Sequence, residues 1–207
     1  MTSGYLPVPA RTATPADVDA IVATLTTAFF DDPLWGPAFP DAARRAVQAA
    51  AMWRLSVISA LRYPWTLVTE RAEAAAVWIP PGGSELTHEE EAELEQLLLD
   101  GPGKAATGAI MEIYGQLDTA RPDEPHFYLS LLGTHDEHRG RGLGMGLLAE
   151  SLARIDALGE PAYLESSNPA NNARYQRAGF IPHGRITIAT GHVVTTMWRP
   201  AVERLAD

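Results

Sequence analysis

The chain has 207 residues, 46% of them hydrophobic, a formal net charge of -10 and no cysteine. That length suits one domain over residues 1–207, large enough to bury roughly 70% of the surface its unfolded chain exposes. The acidic balance, with no Lys/Arg cluster outside one glycine-rich run, argues against nucleic acid or an anionic membrane as partner; the missing cysteines exclude disulfides and thiol nucleophiles.

No apolar run approaches the ~20 residues of a membrane span. The polar Met1–Ala10 start does not read as a signal peptide, so a cytoplasmic protein is expected. Thr14-Pro15-Ala16-Asp17 reads as an N-cap, a proline at the first helical position and an acid in the first turn. Val18, Ile21, Val22, Leu25 and Phe29 then repeat at helical spacing. Asp41 is expected to cap a second helix reaching about Arg62. Trp65–Glu70 and Ala74–Ile79 read as two strands joined by a short polar turn, closed by Pro80-Pro81-Gly82-Gly83.

Thr87-His88-Glu89-Glu90 is a capping box that opens an acidic helix to Leu99, and Ile110, Ile113, Tyr114 and Leu117 mark another before Pro122. Phe127–Leu132 is almost wholly apolar, as a central strand buried on both faces should be. The amphipathic stretch Leu147–Leu158 follows, then a short strand around Tyr163, an Asn-led helix and a stop at Gly179. Ile186–Ala189 and Val193–Trp198 flank Thr190-Gly191-His192 as a hairpin. The expected fold is α/β (α+β), a mixed sheet flanked by helices, with no internal repeat or linker.

Between the central strand and the amphipathic stretch stands Arg139-Gly140-Arg141-Gly142-Leu143-Gly144-Met145-Gly146. Glycines there permit close backbone approach and positive φ, so that successive N–H groups at a helix start converge on an anion such as a pyrophosphate. A Walker loop needs a Lys and a hydroxyl residue after the glycines, and neither follows. A Rossmann fingerprint is nearly matched, but the glycines are spaced two by two and the run stands two-thirds of the way along the chain. A plain Gly-rich helix start is the remaining alternative.

The Arg-x-x-Gly-x-Gly at Arg139–Gly144, then Asn168 with Tyr175 seven residues later and Gly179-Phe180, resemble the two acyl-CoA motifs of the GNAT N-acetyltransferase superfamily. Leu164-Glu165-Ser166-Ser167-Asn168-Pro169, with Trp198-Arg199-Pro200, is similar to the puromycin N-acetyltransferase-like branch. The match is strong from about Phe127 to Pro200 and weak before it, apart from Phe29–Pro33 and Val77–Gly82. Asp136 departs from it, standing where that branch often has proline.

The resemblance implies a GNAT fold with a sheet of about seven strands under layered helices. It also implies acetyl-CoA as co-substrate and transfer of the acetyl group to the amine of a small molecule or peptide, by direct attack in a ternary complex. That chemistry needs a neutral amine beside the thioester, a donor for the developing oxyanion and a proton for the departing thiolate.

By the same resemblance, backbone groups of Leu131, Leu132 and Gly133 hold the pantetheine arm. Arg139, Gly140, Arg141, Gly142, Leu143, Gly144 and Met145 hold the phosphates, and Asn168 and Asn171 contact the cofactor. Tyr175 is the expected acid, its hydroxyl near the sulfur, and Glu165 the expected base, against the plainer roles of a packing tyrosine and a strand-end carboxylate. Asp31, Asp32 and Trp35 are candidate acceptor contacts, although the two acids can equally cap a turn ending at Pro33. Trp35, Trp53, Trp65 and Trp78 either line an aromatic acceptor site or pack in the core. His126 and His135 flank the central strand as structural candidates, and with no metal-ligand spacing such as H-E-x-x-H no metal is expected. A monomer or homodimer is expected. A silent acyl-CoA-binding sensor, an O-acetyltransferase and a longer-chain acyltransferase are the alternatives.

Overall fold

Apolar residues alternate across the strands so that both faces of one sheet need covering, and helices supply the cover. The computed structural model describes residues 4–202, so the ends of the chain, including the first three residues of the Met1–Ala10 start, lie outside it. Its strands are β1 (Arg11–Thr12), β2 (Thr66–Val68), β3 (Ala74–Ile79), β4 (Phe127–Thr134), β5 (Ala162–Ser166), β6 (Ile181–Thr187) and β7 (Val193–Arg199). They form a seven-stranded sheet in the order β1-β2-β3-β4-β5-β7-β6. Only the β4–β5 pair is parallel. The architecture is the expected mixed sheet between helices.

Helices α1 (Val18–Phe29), α2 (Trp35–Ala38), α3 (Arg45–Ala60), α4 (His88–Asp100) and α5 (Lys104–Ala120) precede the central strand; α6 (Leu143–Leu158) and α7 (Asn172–Arg177) follow it. On one face Ala75, Val77, Ile79 and Tyr128 pack with residues of α1, α3, α4 and α5. On the other Ala74, Ala76, Trp78, Phe127 and Leu129 pack with Leu147, Leu148, Leu152 and Ile155 of α6. The expected capping box at Thr87 forms, with Glu90 N–H donating to its hydroxyl.

Several boundaries differ from the sequence reading. Asp41 does not open a helix: its carboxylate accepts from Ala43 N–H in a turn, and α3 begins at Arg45. The Trp65–Glu70 strand shortens to Thr66–Val68, and the Trp65 ring packs on Phe127 at 4.4 Å. The hairpin's first strand begins at Ile181, not Ile186, on the exposed edge of the sheet. The helix after the glycine run begins at Leu143, not Leu147, so Gly144 and Gly146 lie in its first turn. A β-carbon on Gly144 would stand 2.6 Å from Thr134 Oγ1, and one on Gly146 2.4 Å from Val8 Cγ1. These two glycines therefore serve close packing, while Gly140 and Gly142 supply the positive φ of 77° and 78°.

The motif residues near the end of the chain also have a packing role. Arg199 is buried and donates through both terminal nitrogens to Asp156 of α6, at 2.5 and 2.8 Å, and through Nε to Ala178 O. Gly179, with φ of 96°, leaves the space the guanidinium occupies. Asp156→Ala removes the carboxylate that neutralises this buried cation. It is expected to lower unfolding stability by about 3 kcal/mol, read from urea titration as a lower midpoint at unchanged slope.

Candidate functional site

The parallel pair opens the site. Phe127, Tyr128 and Leu129 of β4 pair with Ala162, Tyr163 and Leu164 of β5, and there the ladder ends. Beyond it β4 stays with β3 as far as Thr134, while Glu165 and Ser166 stay with β7. The facing edges of the two strands diverge and leave backbone N–H and C=O groups without a strand partner, open to a ligand. A bulge sharpens the divergence: Val77 faces Leu131 and Trp78 faces Leu129, so Ser130 has no opposite residue. It is the one polar residue in the Phe127–Leu132 run.

A cavity of about 610 Å³ fills the gap. At one end its wall carries Leu131, Leu132 and Gly133 from the free edge of β4, then Arg139, Gly140, Gly142, Leu143, Gly144 and Met145. Gly142 sits left-handed at the N-cap of α6, and the first N–H groups of that helix have no intrahelical acceptor, which makes this end an anion seat. Of the expected cradle residues Arg141 alone does not line the cavity; its guanidinium lies against His138 Nδ1 at 3.2 Å and Glu137 O at 3.3 Å. Arg139 does line it, but donates to Thr27 O and Ala28 O at the end of α1, so it also fastens that helix.

Asn168, Asn171 and Tyr175 line the opposite wall. Asn168 Oδ1 accepts from Ala170 N–H at 3.0 Å as an ordinary cap, and Asn171 Oδ1 accepts from Arg174 at 3.1 Å. Burial, reinforced by the charge of Asp32 and opposed by Arg174, pushes the Tyr175 hydroxyl up to about 12. Asp32 is buried: Oδ1 accepts from Leu34 and Trp35 N–H, which is the turn cap, and Oδ2 accepts from Ser167 Oγ at 2.8 Å. Asp31 lines the cavity but is largely exposed, 4.0 Å from Arg45.

The other end is closed by a carboxylate cluster. Burial pushes Glu165 up to about 7; Arg121 and the Tyr128 hydroxyl pull it down, Glu85 pushes it up and the Tyr163 hydroxyl pulls it down. Its Oε1 has no hydrogen-bond partner among the described residues. Arg121 stacks over the Tyr128 ring at 3.9 Å and donates to Glu85 Oε2 at 2.9 Å, while Ser130 Oγ donates to Glu85 Oε1 at 2.6 Å. Trp35 lies edge-on to Trp53 at 5.4 Å and tilted to Tyr114 at 5.6 Å, and all three line the cavity.

Trp65 and Trp78 do not line it and belong to the core on the α6 face. His126 packs against the Tyr163 and Trp198 rings, and burial lowers its pKa; His135 lies 3.0 Å from Asp136. Neither lines the cavity. Glu85, Arg121, Tyr128 and Ser130 escaped the sequence reading. Glu85 lies far in the chain from Tyr128 and Ser130, Arg121 sits on a different element, and only Ser130, polar in an apolar strand, carried a local signal.

Residues 87–199 match the family model described as an acetyltransferase (GNAT) domain. A solved structure described as histone acetyltransferase HPA2 and related acetyltransferase, from Corynebacterium glutamicum, is 26% identical over 100% of both chains, with a TM-score of 0.70. Arylalkylamine N-acetyltransferase 2 of Aedes aegypti is 14% identical, covers 93% of this chain and 98% of its own, and gives a TM-score of 0.63. Polyamine N-acetyltransferase of Drosophila melanogaster, described as forming N-acetylagmatine, is 19% identical over 92% and 98% of the two chains, with a TM-score of 0.58. The last two share the fold.

Proposed function

The chain belongs to the GNAT acetyltransferase family, and from that premise we propose that it transfers the acetyl group of acetyl-CoA directly to the primary amine of a small molecule or peptide. One observation carries the reading: a single cleft between two diverging strands has an anion seat at one end and an elevated carboxylate, Glu165, at the other. The residues present fit acetyl-CoA. Glycines at φ of 77° and 78° and the free start of α6 suit a pyrophosphate, and the open edge at Leu131–Gly133 suits a pantetheine arm.

When bound, acetyl-CoA supplies the activated acyl group, and the chain's residues handle protons and orientation. Glu165, titrating near neutrality, accepts the proton of the incoming ammonium. An N–H of the β4 edge donates to the carbonyl oxygen as charge develops on it. Tyr175, protonated at neutral pH, donates toward the departing sulfur. Holding both reactants in one cleft supplies much of the acceleration.

The arylalkylamine and polyamine activities of two fold relatives support an amine acceptor in general terms. The Leu164–Pro169 wording supports the puromycin-type branch. A cytoplasmic setting, one domain over residues 1–207 and a monomer or homodimer complete the proposal.

Acetyl-CoA titration followed by thiol-release assays on a panel of amines tests it. Binding is expected, with release for at least one amine class. Gly142→Val is expected to weaken binding about tenfold or more, because a β-branched residue resists the left-handed conformation. Binding without release over the whole panel overturns the transferase reading in favour of a sensor, and release with hydroxyl acceptors alone points to O-acetylation.

A further inference from the structure

Four basic and four acidic side chains line the cleft; of the acids, Asp32 is taken up by Leu34 and Trp35 N–H and Ser167, and Asp31 is largely exposed, which leaves Glu85 and Glu165. The basic side chains on its wall, His138, Arg139, Arg174 and Arg177, come from the glycine loop and from α7. Glu85 and Glu165 flank the bulge at the opposite end. Arg121, the cation nearest to them, lies behind the Tyr128 ring and lines a separate recess of about 150 Å³. It reaches Glu85 from the far side.

We propose that Glu85 grips the acceptor's ammonium beside Glu165, so that the site selects amines with no carboxylate next to the amino group and rejects α-amino acids. The inference rests on the reading of this cleft as an amine-acetylation site.

Glu85 follows β3 and is held from two sides, by Ser130 Oγ on Oε1 and by Arg121 on Oε2. Each oxygen accepts one bond where an ionised carboxylate oxygen has room for about two. A cation can therefore add to a carboxylate that is already oriented and need not be ordered on binding. At the bulge Ser130 has no opposite residue on β3, and its Oγ reaches Glu85. An α-amino acid would carry its own carboxylate two bonds from the amine, beside Glu85 and the half-ionised Glu165, with Arg121 shielded behind Tyr128. Like-charge contact of this kind rejects a ligand more strongly than a missing contact does.

The test is calorimetric titration of the CoA-saturated protein with tryptamine against tryptophan and histamine against histidine, in wild type, Glu85→Gln and Ser130→Ala. Wild type is expected to bind the amines at least about tenfold tighter than the amino acids. Glu85→Gln should lower amine affinity about tenfold, the scale of one hydrogen bond to a charged group. It should also narrow the amine to amino-acid ratio and leave acetyl-CoA affinity unchanged. Ser130→Ala keeps the Arg121 pair intact and should weaken the amines a few-fold, so the proposal stays testable if the first variant folds poorly. Amino acids binding as well as amines, no binding by either, or unchanged affinity and ratio in Glu85→Gln overturns it. Thiol release on the same panel scores acetyl transfer separately: amines that bind and discriminate without release uphold the grip and overturn the transferase.

Discussion

Glu165→Gln is expected to lower kcat/KM for the amine about 100- to 10,000-fold at neutral pH, the range that a positioned general base contributes. The direction follows from the environment of the carboxylate. Burial lifts it to about 7, and Arg121, the Tyr128 and Tyr163 hydroxyls and Glu85 adjust it from β4, β5 and the two neighbouring loops. A base at that value is ionised in half the molecules at neutrality yet basic enough to take a proton from an ammonium. In wild type, log kcat/KM should fall by one unit per pH unit below about 7, as Glu165 becomes protonated and can no longer accept. The Gln variant should lose that limb. Its rate should instead climb with pH toward the amine's own value of roughly 10, as free amine arrives without help. Two neighbours move the limb in opposite directions: Glu85→Gln removes a like charge and shifts it down, and Arg121→Leu removes an opposite charge and shifts it up. A Gln variant that kept the limb near 7 would take the base role from Glu165. Gln has almost the same shape, so acetyl-CoA affinity should hold and separate loss of chemistry from loss of fold.

The order of elements was readable because their burial is regular. β4 is buried along most of its length and reads as an apolar run broken only at Ser130, α1 and α5 carry helical spacing, and α4 carries its cap. Where burial is irregular the reading failed. β6 is exposed along most of its length and contains Pro182 and Gly184, so its first five residues resembled a loop. β1 is two residues long and exists only through its pairing with Val68 and Leu67, more than fifty residues away. α2 spans four residues around Gly36-Pro37 and is capped from Asp32. At the site, Tyr175, Glu165 and the glycines stand in local motifs that keep their spacing. Glu85, Arg121 and Ser130 meet only because the loop after β3, the end of α5 and the β4 bulge converge, and no short window of sequence contains all three. Gly144 and Gly146 were legible as glycines but not by cause, since what excludes a side chain there is Thr134 and Val8.

Tyr175→Phe is expected to lower turnover about 100-fold, toward the small end of acid catalysis, with acetyl-CoA affinity nearly unchanged. The elevated hydroxyl sets the size of the effect. Burial and the nearby Asp32 raise it to about 12, whereas an ordinary thiol ionises near 8.5. Complete transfer from such a hydroxyl to a free thiolate is uphill by several pKa units, at about 1.4 kcal/mol each. Tyr175 is therefore better suited to stabilise the departing sulfur by a strong hydrogen bond, with the proton following as the carbon–sulfur bond breaks. Desolvation of the sulfur in the same cleft raises its own pKa and narrows the gap. The alternative, a tyrosine that merely packs α7 against Phe180, 6.2 Å between ring centres, predicts a different result. Phe fills the same space, so a packing role would leave both turnover and unfolding temperature unchanged. An acid role lowers turnover at constant stability, which single-turnover thiol release and a thermal melt of the same preparation distinguish.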